Sequence, residues 1–307
     1  MCLGHYKYKI FGLTIQSDLE LANLEQYLFT TLPDIDIKFG SIQDKIPNGA
    51  RIGQYSQISN ETYLLDIPDI VKFCVHVGTL VIIEKKNNTT SNYMLQAYLF
   101  GMIFTNILQY RGYLVLHGSA VKIGDKAIIF SGKSGAGKST LAAAFMQRGY
   151  IMLTDDLVVL SANNNGTLSL IPGPPKFKLL QDAIDKLGVS STDITKIEHK
   201  VDKYEIPVIR DDHVENVQVG AFYELNSHTN NNIQIQKSNG INKLELLSGN
   251  TFCYDMLKPM GKLSEHFKLC AILGKQINVF KVHRPSNTYA INELVDSIIN
   301  SVTSNIS

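Results

Sequence analysis

Cysteine is sparse in this 307-residue chain: Cys2, Cys74, Cys253 and Cys270 are scattered without metal-ligand spacing, which argues against a zinc site. Nothing in the sequence reads as a secretory signal, so reduced thiols in a cytoplasmic protein are the expectation. Charge of one sign is also lacking. Lysine and arginine number 29 against 28 acidic residues, a formal charge of +1, so no broad electrostatic attraction to nucleic acid or membranes is expected. Long apolar runs are missing too. The segment from Tyr93 to Tyr110 carries Leu95, Leu99, Met102, Ile103 and Leu108. Gln96, Gly101, Thr105, Asn106 and Gln109 interrupt it well short of the roughly 18 apolar residues of a spanning helix. A packed helix is expected there instead. No internal repeat stands out, and at 44% hydrophobic and 19% charged the chain has room for one large or two modest domains.

What is present is concentrated between Gly132 and Ser139, which read Gly-Lys-Ser-Gly-Ala-Gly-Lys-Ser. This is a complete G-x-x-x-x-G-K-[ST] phosphate-binding loop. Its glycines let the backbone curl so that successive N–H groups face one anion, its lysine adds positive charge, and its serine hydroxyl suits magnesium. Context strengthens the reading. Lys126-Ala-Ile-Ile-Phe-Ser131 upstream has the composition of a short buried strand. Thr140-Leu-Ala-Ala-Ala-Phe-Met-Gln-Arg148 downstream is rich in helix formers and closes on Gly149, suited to a left-handed cap. Strand, loop and helix therefore aim a helix N-terminus at the phosphates of a nucleoside triphosphate.

Seventeen residues beyond Lys138 stand Asp155 and Asp156, directly after the apolar Tyr150-Ile-Met-Leu. They are expected at the carboxyl end of the next strand, at the edge of an open α/β sheet where ligands gather. Neighbours on a regular strand point to opposite faces, so both carboxylates serve one site only if the strand ends or twists there. A solvated Asp-Asp turn is the alternative. Upstream, Tyr113-Leu-Val-Leu-His117-Gly-Ser-Ala-Val is a further apolar strand with one histidine in its middle. That histidine is either an ordinary half-buried residue or one of an acid–imidazole pair that tunes a general base near neutral pH.

In order and spacing, His117-Gly, the phosphate loop, Arg148-Gly149-Tyr150 and the Asp155-Asp156 pair resemble bacterial HPr kinase/phosphorylase and its relatives. Among these the chain looks most like the kinases of lasso-peptide gene clusters, which phosphorylate a serine at the C-terminus of a precursor peptide. Tyr8-Lys-Ile-Phe-Gly-Leu-Thr-Ile15, Pro172-Gly-Pro-Pro-Lys-Phe-Lys-Leu179 and His283-Arg-Pro285 are weaker similarities. The resemblance implies that ATP phosphates meet Gly132, Lys133, Ser134, Gly135, Ala136, Gly137, Lys138, Ser139 and Thr140. It also implies that Ser139 and Asp155 hold Mg2+ and that Asp156, assisted by His117, is the base on the acceptor hydroxyl. Interchanging the two aspartates leaves the rest intact. The implied partner is a peptide or small protein with an acceptor serine. HPr kinase/phosphorylases form hexamers, so a homo-oligomer stays among the expectations, although no segment marks an interface. The glycine-rich, arginine-containing signature loop that the family uses to run the reaction backwards has no counterpart here. A forward kinase is therefore expected, with an HPr-type protein serine kinase or a nucleotide-sensing regulatory module as alternatives. A sensor needs no base, so the acidic pair and histidine favour the enzyme.

Lys176, Lys178, Lys200, Lys203, Arg210 and Arg284 lie downstream and could add positive charge, though each alone reads as a solvated surface residue. Lys176 and Lys178 rise above that background because Pro172-Gly-Pro-Pro holds them in an extended or turning segment soon after the acidic pair. The resulting expectation is a small α+β N-terminal domain over 1–92, a bridging helix over 93–112, and a P-loop HPr kinase-like α/β domain with a mixed sheet over 113–307. Within the last, Leu157-Val-Val-Leu and Leu168-Ser-Leu-Ile flank Asn163-Asn-Asn-Gly166, a hairpin signal. Strands are expected at Gly220–Leu225 and Ile277–Val282, a loop at Asn226–Asn232, and a helix at Ala290–Val302.

Overall fold

Alternating burial sets the first compact unit, which comprises residues 1–115 with 253–267. The computed structural model describes residues 6–189, 194–197, 202–208, 216–230, 232–286 and 290–306. Strands β1 (Tyr6–Ile10), β2 (Leu13–Ser17), β3 (Ile35–Phe39), β4 (Ala50–Ile52), β5 (Ser56–Ile58), β6 (Thr62–Ile67), β7 (Val71–His76) and β8 (Leu80–Lys85) form one sheet. Their order is β1-β2-β3-β8-β7-β6-β5-β4. The pairs β2–β3 and β3–β8 are parallel, and the rest are antiparallel. β1 turns into β2 through Phe11 and Gly12, both at positive φ (50° and 76°), the signature of a two-residue type I′ hairpin. The apolar segment after β8 is helical from Asn92 to Tyr110: α1 (Asn92–Tyr98), a π-helical turn (Leu99–Ile103) and α2 (Phe104–Tyr110). Ser91 caps α1 through a bond to the Met94 amide. Two of the polar residues that interrupt the run are buried and matched: the Gln96 side chain exchanges hydrogen bonds with the Ala22 backbone at 2.8 and 3.0 Å, and Thr105 donates to the Gly101 carbonyl. Among the described residues no helix is long and apolar enough to cross a membrane.

The second unit comprises residues 116–252 with 268–307. Its strands are β9 (Leu114–Ile123), β10 (Lys126–Ser131), β11 (Ile151–Thr154), β12 (Leu157–Ala162), β13 (Leu168–Ile171), β14 (Lys176–Leu180), β15 (Thr195–Lys196), β16 (Lys203–Pro207), β17 (Val217–His228), β18 (Gln234–Ser238) and β19 (Asn278–Pro285). Its helices are α3 (Lys138–Gln147), α4 (Gln181–Leu187), α5 (Ile241–Gly249) and α7 (Ile291–Ile306), and α6 (Leu263–Gln276) runs from the first unit into the second. The main sheet runs β10-β9-β12-β13-β17-β19-β18, and β10 also pairs with β17. The pairings thus return on themselves through β9, β12, β13, β17 and β10. This differs from the open sheet edge expected from the sequence. β11 lies antiparallel to β9, while β10–β17 and β17–β19 are parallel. The expected hairpin is the pair β12–β13, closed by the Asn163 amide on the Thr167 carbonyl at 2.7 Å. β17 runs on through Asn226 to His228, residues expected in a loop, because β19 pairs with them there.

Helix α3 is apolar nearly all round, and Leu141, Ala142, Ala143, Ala144 and Phe145 are buried. Phe145 stacks on Phe130 of β10 at 5.3 Å, and Tyr223 stacks on Phe280 at 4.8 Å. These contacts join α3 and β10 in one core with Leu294, Val295 and Ile298 of α7. The phosphate loop is therefore anchored at both ends by packed aromatic and aliphatic side chains.

Candidate active site

Gly132 leaves β10 at φ 134°, and a Cβ there would stand 2.5 Å from the Leu225 carbonyl oxygen, so only glycine lets the chain pass β17 this closely. Gly137 ends the loop at φ 95° and precedes the first turn of α3. The ammonium of Lys138, buried at 8% exposure, bonds back to the carbonyls of Gly132 and Lys133 at 3.0 and 3.1 Å. Burial, only partly offset by Asp155 and Asp156, holds its pKa below the usual lysine value. Arg284, at the end of β19, donates from Nε to the Ala136 carbonyl at 3.1 Å and braces the loop from outside. A cavity of about 320 Å3 opens beside Gly135, Gly137 and Thr140, walled by Leu180, Ala183 and Ile291.

The two aspartates solve the problem of facing one site by leaving the strand. β11 ends at Thr154 and β12 begins at Leu157. The Leu157 amide donates to the Asp155 carbonyl at 2.9 Å, and Asp156 lies between them at φ 66°. An i-to-i+2 bond around a residue at positive φ is a γ-turn of the rare, strained hand. The turn bends the chain sharply between two buried strands, and the Gly118 amide of β9 donates to the Asp156 carbonyl at 3.2 Å.

Asp155 then gathers three donors. Its Oδ1 accepts the hydroxyls of Ser119 (2.6 Å) and Ser139 (2.8 Å), and its Oδ2 accepts the Lys178 amide (2.9 Å). Burial first, then the neighbouring Asp156 charge, raises its pKa despite these bonds. Asp156 behaves oppositely. Burial favours its neutral form, but the Lys178 ammonium at 2.6 Å, with Lys203 and His117, outweighs that and holds it well below the usual carboxylate range. Lys178 itself is raised: the cost of burial is more than offset by Asp156. The structure thus brings Lys138, Ser139, Asp155 and Asp156 together, and adds Ser119 and Lys178. Ser119 carried no signal in the sequence, since one serine in an apolar strand reads as filler. Lys200 and Arg210 lie outside the described residues.

His117 departs from an imidazole tuned near neutrality. Burial, followed by repulsion from Lys138, pushes it down to about 4, against a smaller upward pull from Asp156. It meets Phe252 edge to face at 5.0 Å, and its backbone amide donates to the Asn250 carbonyl. Asn250 continues a polar network beneath the loop, in which its amide group donates to Glu224 at 2.8 Å and its carbonyl accepts from Ser131 at 3.0 Å.

Residues 109–173 match the family described as HPr Serine kinase C-terminal domain. An HPr kinase/phosphorylase of Prosthecochloris aestuarii is 27% identical over 33% of this chain and 28% of its own length. One from Chlorobium limicola is 24% identical over 50% and 41%, and one from Treponema pallidum 40% identical over 18% and 17%. The chain thus spans between 17% and 41% of the length of these curated relatives. A solved HPr(Ser) kinase/phosphatase from Coxiella burnetii overlays with a TM-score of 0.31 at 14% identity, over 62% of this chain and 97% of that one. The sequence matches show a similarity to HPr kinases, and the family match over 109–173 takes in the phosphate loop and the Asp155-Asp156 turn.

Proposed function

We propose that this chain is an ATP-dependent kinase that transfers the γ-phosphate to a serine hydroxyl of a peptide, with the C-terminal serine of a lasso-peptide precursor as acceptor. The observation that carries the reading is the direct 2.8 Å bond between Ser139 of the phosphate loop and Asp155 of the turn. A hydroxyl and a carboxylate in contact at the mouth of an anion cradle are the oxygen donors Mg2+ takes when substrate phosphates supply the rest. Bound there, Mg2+ would neutralise charge on the β- and γ-phosphates.

The chain's own groups divide the remaining work. Loop amides from Gly132 to Thr140 and the Lys138 ammonium hold the phosphates, and the adjoining cavity takes the nucleoside. Asp156 orients the acceptor hydroxyl and receives its proton, while neutral His117 supports the carboxylate from β9. The serine oxygen bonds the γ-phosphorus as the bond from phosphorus to the bridging oxygen breaks, and ADP leaves. A carboxylate held as low as Asp156 is a weak proton acceptor, but a loose phosphoryl transition state asks chiefly for positioning. Incubation of a peptide ending in serine with the protein, Mg2+ and ATP should add about 80 Da to the peptide. An unchanged mass across serine peptides and HPr, with intact ATP binding, would favour the nucleotide-sensor reading.

A further inference from the structure

The three-stranded sheet β14-β16-β15 gives the site a second wall. Lys176, Lys178 and Leu180 alternate along one face of β14, and their cross-strand partners on β16 are Pro207, Glu205 and Lys203. Side chains opposite one another in an antiparallel pair share a face. That face therefore carries three ammonium groups and one carboxylate, while Phe177 and Leu179 on the other face enter the core against α3. Lys176 is spent on Glu205, a 3.0 Å ion pair with side chains only 11% and 5% exposed. Lys178 is paired with Asp156, and its backbone amide is fixed to Asp155, so β14 is pinned to the acidic turn. Lys203 has no carboxylate partner among the described residues and is half-buried. Its charge is felt at Asp156, His117 and Lys138, which lie on the turn, β9 and the phosphate loop.

A half-buried ammonium facing other ammonium groups is unfavourable unless an anion sits among them. We propose that this face is an anion-binding wall on which Lys178 and Lys203 hold the transferred phosphoryl group, across from the phosphate loop. The proposal rests on the kinase reading and extends it to the groups that stabilise the transferring phosphate. Lys178 bonds Asp156 at rest. When the acceptor hydroxyl takes that carboxylate, the ammonium turns to the phosphoryl oxygens, so substrate arrival and charge stabilisation are linked. Phosphoryl transfer spreads negative charge over three equatorial oxygens, so ammonium groups outside the loop can add to their stabilisation.

The test compares binding of Mg·ADP alone with binding of Mg·ADP plus aluminium fluoride, a mimic of the group in flight, by calorimetry. Lys203→Met and Lys178→Met should leave Mg·ADP affinity within about twofold and weaken the aluminium fluoride complex on the order of 10- to 100-fold, with Lys178→Arg recovering most of the loss. Lys203→Met guards against a folding defect, because it breaks no ion pair among the described residues, and circular dichroism checks both variants. Wild-type affinity for the fluoride complex in both methionine variants overturns the wall while leaving the kinase reading standing. A wild-type protein that binds Mg·ADP but never the fluoride complex removes the kinase reading, and the wall with it.

Discussion

Ser119→Ala removes one hydroxyl, isolated from solvent, from the carboxylate proposed to hold the metal. Ser119 is 0% exposed and donates to Asp155 Oδ1 at 2.6 Å, a short bond to a group that carries charge. Hydrogen bonds to charged groups contribute about 1.5–3 kcal/mol each, so the variant should lose that much from the ionised form of Asp155. Two donors remain, the Ser139 hydroxyl and the Lys178 amide, so the carboxylate stays in place. Its pKa, already raised by burial, should rise further, because one of the bonds opposing that rise is gone. A proton then competes with Mg2+ for the same oxygens. The expected result is a loss of roughly 10- to 100-fold in Mg2+-dependent ATP affinity at neutral pH, growing as pH falls, with metal-free nucleotide binding little changed. Calorimetric titration of ATP with and without Mg2+ at two pH values measures both. Equal Mg·ATP affinity in variant and wild type at both pH values would refute the reasoning.

Three further outcomes follow from the site. Asp156→Asn should lower kcat on the order of 10²- to 10⁴-fold while sparing ATP affinity, and His117→Ala should cost less; near-normal phosphorylation by the Asp156 variant would remove it as the base. Gly132→Ala places a methyl 2.5 Å from the Leu225 carbonyl at φ 134°, so thermal unfolding should show a loss of about 3 kcal/mol or more together with lost nucleotide binding. His117 has a folded pKa of about 4 against an ordinary 6.5, so between these values the unfolded chain binds more protons and stability falls with falling pH, by about 3 kcal/mol at most. Urea midpoints at pH 7 and pH 4 should differ less in His117→Gln than in wild type, and an identical pH dependence would contradict the burial of a neutral imidazole.

The parts of this site that were legible in the sequence are those that local chain geometry determines. Strand, glycine loop and helix from Lys126 to Gln147 form one continuous segment, and the hairpin from Leu157 to Ile171 closes on its own asparagine-rich turn. Long-range pairing was not legible. No pattern in the sequence foretold that β10 and β17, some ninety residues apart, lie parallel, or that Gly132 must be small because Leu225 crosses it. Ser119, Ser131 and Asn250 were missed for the same reason, since their partners are distant in sequence. Lys178 was half legible: the prolines before it marked a held segment, but only the sheet register shows that it faces Asp156. For His117 the sequence left an ordinary half-buried residue and an imidazole tuned near neutrality both open, because the charge of Lys138 and the depth of burial are properties of the fold.

The most direct test of the account is a crystal structure with Mg2+ and a non-hydrolysable ATP analogue. The metal should lie about 2.1 Å from Ser139 Oγ, with Asp155 beside it and Asp156 facing the γ-phosphate. A triphosphate bound in the loop with its metal remote from both aspartates would contradict the central claim.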